Sequence, residues 1–324
     1  MVLWLAAALA AIAFSVAVNV RSETDRVASS ADGLRAWYLA TGSVERGIQW
    51  MMWGLTGGTP KGSTGWQYGM PRLTMSYASG DAIVELIPEA SKLNINTASP
   101  DDLTRVITVV AGDAGRAAQI AAAIVDWRSG SGGGQFDQYY FSISPTFQAR
   151  HASFQEIEEL LSVEGMTPEL FYGNYVSDSS GRLYASGGLR DCLSVWGSMT
   201  SFDINTASPA LMEAMGMAAS DVSAVVARRR DQPFHNMGEV SAMGVNAPRM
   251  GVGGVVIWTL RATARLRRPD GGPSEFVRTA SATVKLLNPQ NYPALPVHVL
   301  RWYDDAWSQA AIVPGAASSG ALLP

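Results

Sequence analysis

The sequence predicts an α+β protein in which a long N-terminal helix packs on an antiparallel sheet and a large all-α domain is inserted into that sheet. Three observations predict this arrangement. The chain begins with an apolar run without charged residues, an eight-residue motif in its middle occurs twice, and residues near the C-terminus alternate between apolar and polar side chains. The all-α domain is predicted to contain two helix-hairpin-helix-like repeats.

The composition excludes several classes of protein. Only 16% of the 324 residues are charged, which is well below the ~25% of typical soluble domains. The one cysteine, Cys192, rules out an intrachain disulfide and a cysteine-based zinc cluster. A net charge of -4 and a pI near 5.5 disfavour a dedicated nucleic-acid binder, which usually carries a basic face.

Residues 1–20 are predicted to form a transmembrane helix. The segment from Val2 to Val20 is free of charge, and as a helix it would span roughly 28 Å, close to the ~30 Å hydrocarbon core of a bilayer. A cleaved signal peptide is the alternative, but it needs a basic segment before a shorter apolar run. We therefore expect a retained membrane helix. The side chains expected to contact lipid or neighbouring helices are Leu3, Leu5, Leu9 and Phe14.

Residues 21–53 are predicted to continue this helix beyond the membrane as an amphipathic stem. The segment has no proline, and its apolar side chains recur near helical spacing, with polar residues between them. Trp37 and Tyr38 are the candidate assembly residues of the stem. The helix is expected to stop in residues 54–60, where glycines and a proline are typical helix breakers.

The strands of the sheet are predicted on both sides of the helical domain. Residues 54–90 supply a hairpin, because two short extended segments flank Ser79-Gly80-Asp81. Residues 251–310 supply the C-terminal strands, in which period-two alternation predicts half-buried strands on either side of a turn at Pro269–Pro273. Residues 311–324 are expected to be a loose tail.

Residues 91–250 are predicted to form the inserted helical domain, with repeats near 93–166 and 202–245. The motif Leu-Asn-Ile-Asn-Thr-Ala-Ser-Pro at residue 93 returns as Phe-Asp-Ile-Asn-Thr-Ala-Ser-Pro at residue 202. In each copy a serine, Ser99 or Ser208, is predicted to cap a helix that has proline at its first position. A glycine-containing turn and a second helix follow in both copies, and each copy ends in a Phe-x-x-apolar-x-Glu-apolar segment.

A helix-hairpin-helix repeat leaves DNA binding open as an alternative function. In some units of this type, backbone amides of the hairpin turn bind phosphate. The three arginines Arg228–Arg230 are the one basic cluster near a hairpin, and we interpret them as a solvated helix end. The alternative hypothesis is therefore a membrane-anchored helix-hairpin-helix DNA-binding protein. It is disfavoured because affinity for DNA requires cationic neutralisation of phosphates.

The sequence contains no recognisable catalytic constellation, so we do not expect an enzyme. His151 and His298 are interpreted as packing or surface residues, and Cys192 as a structural residue. Calcium is the one possible cofactor. Asp178 and Asp191 lie in a Gly/Ser-rich loop between the repeats, and clustered hard oxygen ligands suit Ca²⁺. The alternative is that these aspartates serve turns.

These features together resemble the GspK family of minor pseudopilins, the general secretion pathway protein K of type II secretion systems. The resemblance covers nearly the whole chain and is carried by the apolar helix, residues 34–42, the two Asn-Thr-Ala-Ser motifs and Phe154–Leu170. It implies a pilin-like α/β domain with an inserted helical domain, a single pass through the bacterial inner membrane and a periplasmic globular part. The implied function is structural and assembly-initiating, at the tip of the periplasmic pseudopilus that serves protein export across the outer membrane.

The resemblance also implies partners and a possible ion. The implied partners are the GspI-like and GspJ-like minor pseudopilins, the pseudopilus and the inner-membrane secretion platform, with no nucleic acid. Calcium binding in the helical domain is known in this family. Leu5 occupies the position at which most pilins carry a glutamate, and members of the GspK family characteristically lack that glutamate.

Overall fold

One uninterrupted helix begins the chain. The computed structural model of the protein describes residues 2–56, 66, 69–130, 133–177, 183–287 and 296–306. Helix α1 runs from Val2 to Thr56, so the predicted membrane segment and the predicted stem form a single element. The helix ends inside the predicted breaker segment, of which residues 57–60 lie outside the described residues, as does the predicted tail.

The other elements follow in chain order. The further helices are α2 (Pro100–Ala111), α3 (Ala114–Arg128), α4 (Asp137–Ser142), α5 (Pro168–Tyr172), α6 (Pro209–Ala214), α7 (Ala219–Asp231) and α8 (Met237–Ala242). The strands are β1 (Arg72–Tyr77), β2 (Gly80–Pro88), β3 (Leu93–Asn94), β4 (Gly173–Ser177), β5 (Leu183–Gly187), β6 (Leu193–Ser194), β7 (Phe202–Asp203), β8 (Met250–Gly251), β9 (Ile257–Arg267), β10 (Pro273–Leu286) and β11 (Val297–Tyr303).

The main sheet confirms the predicted fold class. Its five strands lie in the order β1-β2-β9-β10-β11, and all neighbours are antiparallel. Strands β2 and β9 are adjacent although the helices α2 to α8 lie between them in the chain. The helical part is therefore an insertion between two paired strands of one sheet. It is not all-α as predicted, because β3 to β8 form three two-stranded sheets between its helices. The exact domain limits at residues 90 and 250 stay a prediction.

The C-terminal half of α1 packs closely on one face of this sheet. Ala36, Ala40 and Val44 are fully buried, and the latter two belong to one apolar cluster with the inward-facing residues of β2, β9 and β10. The approach is close enough that a Cβ at Gly47 would lie 3.0 Å from Leu260 Cδ2. Small side chains on the helix thus let its backbone approach the strands, which increases the dispersion contacts between the two layers.

The opposite face of the sheet is polar. The hydroxyl of Thr259 bonds that of Thr283 across β9 and β10 at 2.8 Å, and Thr263 bonds Thr279 in the same way at 3.2 Å. These four side chains are buried, so the cross-strand pairs satisfy their hydrogen-bonding groups. The polar face also explains the observed alternation, because the apolar residues of the same strands contact α1.

The helical insertion has its own apolar core, in which both repeats take part. The predicted caps are confirmed, since Ser99 Oγ accepts from Asp102 N at 3.1 Å and Ser208 Oγ accepts from Leu211 N at 3.2 Å. The buried cluster extends over the helices of both copies and includes Trp127, which packs against the aromatic rings of its neighbours. The repeats therefore share one core rather than two.

An asparagine clasp closes each repeat. Asn96 Nδ2 donates to Phe154 O at 2.9 Å, and Phe154 N donates back to Asn96 Oδ1 at 2.7 Å. The second copy repeats both bonds between Asn205 and Phe234 at the same two distances. The duplicated asparagine of the sequence motif therefore joins the start of each repeat to its distal phenylalanine segment, because one carboxamide satisfies a backbone donor and a backbone acceptor together.

An arginine adds a second set of bonds to each clasp. This corrects the interpretation of Arg229 as part of a solvated helix end, whereas Arg230 is exposed as expected. Arg229 Nη1 donates to Ile204 O and Ala207 O, both at 2.8 Å, instead of being a solvated end of α7. Burial lowers the pKa of its guanidinium to about 10. Arg128 makes the matching bonds in the first repeat, to Ile95 O and Ala98 O.

Two polar contacts hold the parts of the structure together. Arg249 Nη1 pairs with Asp102 Oδ1 at 2.8 Å, which ties the end of the second repeat to α2. Burial by itself would raise the pKa of Asp102, but hydrogen bonds from Arg105 and Arg249 bring it below its ordinary value. Glu156, in the helical insertion, bonds both Arg301 and Tyr303 of β11, which fixes the insertion on the sheet.

We predict that Asn205→Ala destabilises the protein more than Asn96→Ala. Asn205 is buried, whereas Asn96 is half-buried. Removal of the Asn205 side chain therefore leaves the backbone N–H and C=O of Phe234 without a hydrogen-bond partner, at a place that water does not reach. Each such group costs about 1–3 kcal/mol, and we expect a loss of about 3 kcal/mol for Asn205→Ala. Urea unfolding of the full chain in detergent, followed by tryptophan fluorescence, measures the loss.

The control is Asn174→Ala, because Asn174 is exposed on β4. It should leave the free energy of unfolding within about 0.5 kcal/mol of the wild type. Equal stabilities of Asn205→Ala and Asn174→Ala would contradict the role given to the clasp.

Candidate assembly surface

The N-terminal half of α1 has no covering within the described chain. The helix between Val2 and Leu55 is long and apolar enough to cross a membrane, and its most apolar stretch, with a mean hydropathy of 2.2, is 0% buried. The four predicted contact residues of this segment, Leu3, Leu5, Leu9 and Phe14, are all more than half exposed. A charge-free apolar helix that its own chain leaves open requires lipid or other apolar helices around it.

The structure separates the two aromatic residues that the sequence analysis placed together. Trp37 is half-buried, and its Nε1 donates to Asp304 O at 3.1 Å, so this side chain ties α1 to the segment after β11. Tyr38 meets the Trp37 ring edge to face at 4.8 Å and is 63% exposed. Trp37 therefore positions the stem on the sheet, and Tyr38 is the one of the pair that is available to a partner.

Two residues that the sequence analysis did not select lie beside Tyr38. Val27 and Leu34 are exposed, and at 100° per residue Val27, Leu34 and Tyr38 fall on one face of α1. We name these three residues the stem stripe. The signal was present in the sequence as a spacing of seven and four residues, but the buried face of the stem has a similar periodicity, and only packing tells the two faces apart.

Charged residues of the stem are paired along the helix. Arg26 Nη1 lies 3.6 Å from Glu23 Oε1, and Arg35 Nη1 lies 3.1 Å from Asp32 Oδ1. These are exposed pairs of neighbours three positions apart, and such pairs stabilise a helix by about 0.2–0.5 kcal/mol. These pairs keep the surface around the stem stripe polar, and because each pair contains both signs of charge, they add no net charge to the stem.

A polar cleft of about 630 Å³ separates the polar face of the sheet from the helical insertion. Its charged side chains are paired with one another: Lys92 Nζ lies 3.3 Å from Glu89 Oε2, and Arg261 Nη1 lies 3.7 Å from Glu85 Oε2. Burial lowers the pKa of Arg261, and the nearby Arg190 lowers it further. The cleft is thus lined by ion pairs between two parts of the chain.

The candidate calcium ligands are not brought together by the described residues. Asp178 lies outside them. Asp191 Oδ2 accepts from Gly188 N at 3.1 Å and thereby closes the short 3-10 helix Leu189–Asp191. Calcium at Asp178 and Asp191 stays a prediction.

Three other side chains bring potential metal-ligand atoms close together. One ligand atom each of Asp126, Asp137 and His151 lie within 4.8 Å of one another. His151 was interpreted as a packing or surface residue, yet its Nε2 is 2.8 Å from Asp137 Oδ1. This bond raises the pKa of His151, and the amide of Gly134 together with His151 lowers the pKa of Asp137. No spacing in the sequence indicates the group, because a long loop separates its members.

The hairpin turn of the first repeat offers little to a phosphate. The amides of Gly115 and Arg116 at the start of α3 already donate to Asp113 Oδ1, at 2.8 and 3.1 Å. Arg229, the middle member of the basic cluster, donates to backbone carbonyls of its own repeat. Two amides of the turn and the middle arginine are thus engaged within the protein, and nothing in the described residues favours the DNA-binding alternative.

The fold and the exposed helix define the class of protein. A long N-terminal helix, half uncovered and half packed on an antiparallel sheet, is a pilin-like architecture. Residues 84–172 match the family model described as Type II secretion system (T2SS), protein K. The match covers the segment from β2 to α5, which includes the first repeat.

A solved structure has the same fold. The chain is similar to a chain in the crystal structure of the GspK-GspI-GspJ complex from the type 2 secretion system of enterotoxigenic Escherichia coli, with a TM-score of 0.60 and 15% sequence identity. The similarity covers 87% of this chain and 100% of that chain. No curated protein sequence matches the chain.

We predict that the double variant Leu9→Arg/Phe14→Arg is extracted from membranes by alkaline carbonate, whereas the wild type is retained. Each arginine near the centre of the span costs about 2.5–3.5 kcal/mol of insertion free energy. The matched control is Val27→Arg, which adds a charge on the same helix beyond residues 1–20. Retention of the double variant in the pellet would show that residues 1–20 are not the membrane anchor.

Proposed function

We propose that the protein acts at the tip of the periplasmic pseudopilus of a type II secretion system, where it has a structural and assembly-initiating role in protein export across the outer membrane. The observation that carries this proposal is the division of α1 into an uncovered apolar half and a half that is packed on its own sheet. The protein would be anchored by a single pass in the bacterial inner membrane, with its globular part in the periplasm.

The proposed partners are the GspI-like and GspJ-like minor pseudopilins, followed by the pseudopilus and the inner-membrane secretion platform. The similar solved chain was crystallised in a complex with GspI and GspJ. The stem stripe supports this proposal, because an apolar stripe on an exposed helix packs against other helices of the same kind. The protein contributes surfaces to an assembly in this proposal and carries out no reaction.

The terminal position is supported by Leu5. A carboxylate at this depth of a helix bundle is costly unless another group pairs with it, whereas leucine requires only apolar contacts. A subunit at the end of a pseudopilus has no further subunit above it to supply such a pair. Leu5 is therefore suited to an end subunit.

We predict that Leu34→Asp/Tyr38→Asp abolishes co-purification with the GspI-like and GspJ-like subunits while the protein remains folded. Both side chains are exposed, so the free energy of unfolding should change by less than about 1 kcal/mol. Desolvation of a carboxylate in the helix interface should lower the affinity at least tenfold. The measurement is tandem-affinity recovery of the three full-length proteins from detergent-solubilised membranes.

Ser29→Asp serves as the control, because Ser29 is exposed on the opposite face of α1 from the stem stripe. It should leave recovery unchanged. If the wild type ignores both partners, the tip proposal fails. If the wild type binds them and the stripe variant binds equally well, the stripe is not the contact surface.

A further inference from the structure

The first repeat carries an insertion that the second repeat lacks. The matched clasps align Arg128 with Arg229 and Phe154 with Phe234. Between these positions the second repeat has only residues 230–233, whereas the first has residues 129–153, which include α4. The longer segment leaves the end of α3 and returns to the same clasp. A segment of this length needs contacts of its own to have a defined conformation.

We propose that Asp126, Asp137 and His151 form a metal-independent lock that closes this insertion. Asp126 lies in the last turn of α3, Asp137 is the first residue of α4, and His151 lies where the segment returns. His151 Nε2 is 2.8 Å from Asp137 Oδ1, and His151 Nδ1 is 3.3 Å from Asp126 O. The imidazole ring thus joins the two ends of the insertion.

The carboxylates extend the lock to the intervening backbone. Gly134 N donates to Asp137 Oδ2 at 2.8 Å, and Gln135 N donates to Asp126 Oδ1 at 3.0 Å. Phe136 N lies 3.5 Å from Asp126 Oδ2. Three consecutive amides therefore face two carboxylates, and charge-assisted bonds of this kind are among the stronger hydrogen bonds of proteins.

The packing around the lock leaves little room to rearrange. A Cβ at Gly134 would lie 2.2 Å from Asp126 Oδ2 and 2.6 Å from His151 Cε1. His151 has a φ of 46°, in the left-handed region that asparagine and histidine enter more readily than most residues. The lock thus depends on a glycine at one position and on a backbone conformation that few residues adopt at another.

The donor set of the lock does not fit calcium, the ion that the family resemblance implies. Calcium takes six to eight oxygen ligands, whereas this group offers two carboxylates and an imidazole nitrogen. Each carboxylate oxygen already has a protein N–H partner, so an ion would have to displace the amides of residues 134–136 or the histidine. The hydrogen bonds of the lock take the place that an ion would otherwise fill in ordering this segment.

The test is hydrogen exchange of the full chain in detergent, with mass spectrometry of peptides that cover residues 133–153. The wild type should protect the amides of residues 134–136 equally in EDTA, in millimolar Ca²⁺ and in micromolar Zn²⁺. His151→Asn permits the left-handed backbone but shortens the side chain, so it should speed exchange of these amides about tenfold. Protection that requires either ion in the wild type would overturn the proposal.

The matched control is His235→Asn, the same chemical change at an exposed histidine of the second repeat. It should leave exchange of residues 134–136 unchanged. Asp137→Asn is a second variant, in which the side chain keeps its size but loses its charge. It should speed exchange of the same amides. The proposal can therefore be decided even if His151→Asn folds poorly. Wild-type protection in either Asp137→Asn or a folded His151→Asn overturns the lock.

Discussion

The structure depends on the packing of one face of α1 against the apolar face of the sheet. Small residues such as Ala36, Ala40 and Gly47 let the helix approach β9 and β10, and this contact fixes which side of the stem is buried. N-terminal to the contact, α1 has no partner among the described residues. The same constraint leaves Leu34 and Tyr38 exposed, because they lie on the opposite face, and Val27 lies on that face before the contact begins. The proposed membrane anchoring and assembly both rest on a helix that is longer than its own sheet can cover.

The sheet also holds the helical insertion. Strands β2 and β9 pair along their lengths although the whole insertion separates them in sequence, so the insertion begins and ends at neighbouring points. Glu156 then bonds two residues of β11, and ion pairs line the cleft between the two parts. Within the insertion, one clasp geometry is used twice. The first copy holds a longer segment than the second within the same clasp geometry.

Much of the fold could be predicted from local patterns. The long helix, the period-two strands and the capped helices of the repeats are set by neighbouring residues, and the structure confirms each of them. The duplicated motif contains Asn96 and Asn205, but nothing in the sequence indicated the bonds that they make. These features are predictable because spacing alone decides which side chains share a face or cap a helix.

The parts that could not be predicted depend on contacts between distant residues. Arg229 looked like a solvated residue because its neighbours are charged, yet its guanidinium reaches carbonyls more than twenty residues away. Asp126, Asp137 and His151 come together only when the segment of residues 129–153 folds back on the end of α3. Trp37 and Tyr38 are adjacent in sequence and on the helix, but only the position of the residues after β11 decides which of the two is covered.

The central claim is that the face of α1 opposite the sheet contacts other subunits. Site-specific photo-crosslinking from Leu34 and from Ser29, in cells that express the complete secretion system, tests it most directly. The account predicts crosslinks from Leu34 to the GspI-like or GspJ-like subunit and few from Ser29, since the two positions lie on opposite faces of the helix. Equal crosslinking from both positions, or none from Leu34, would contradict the account.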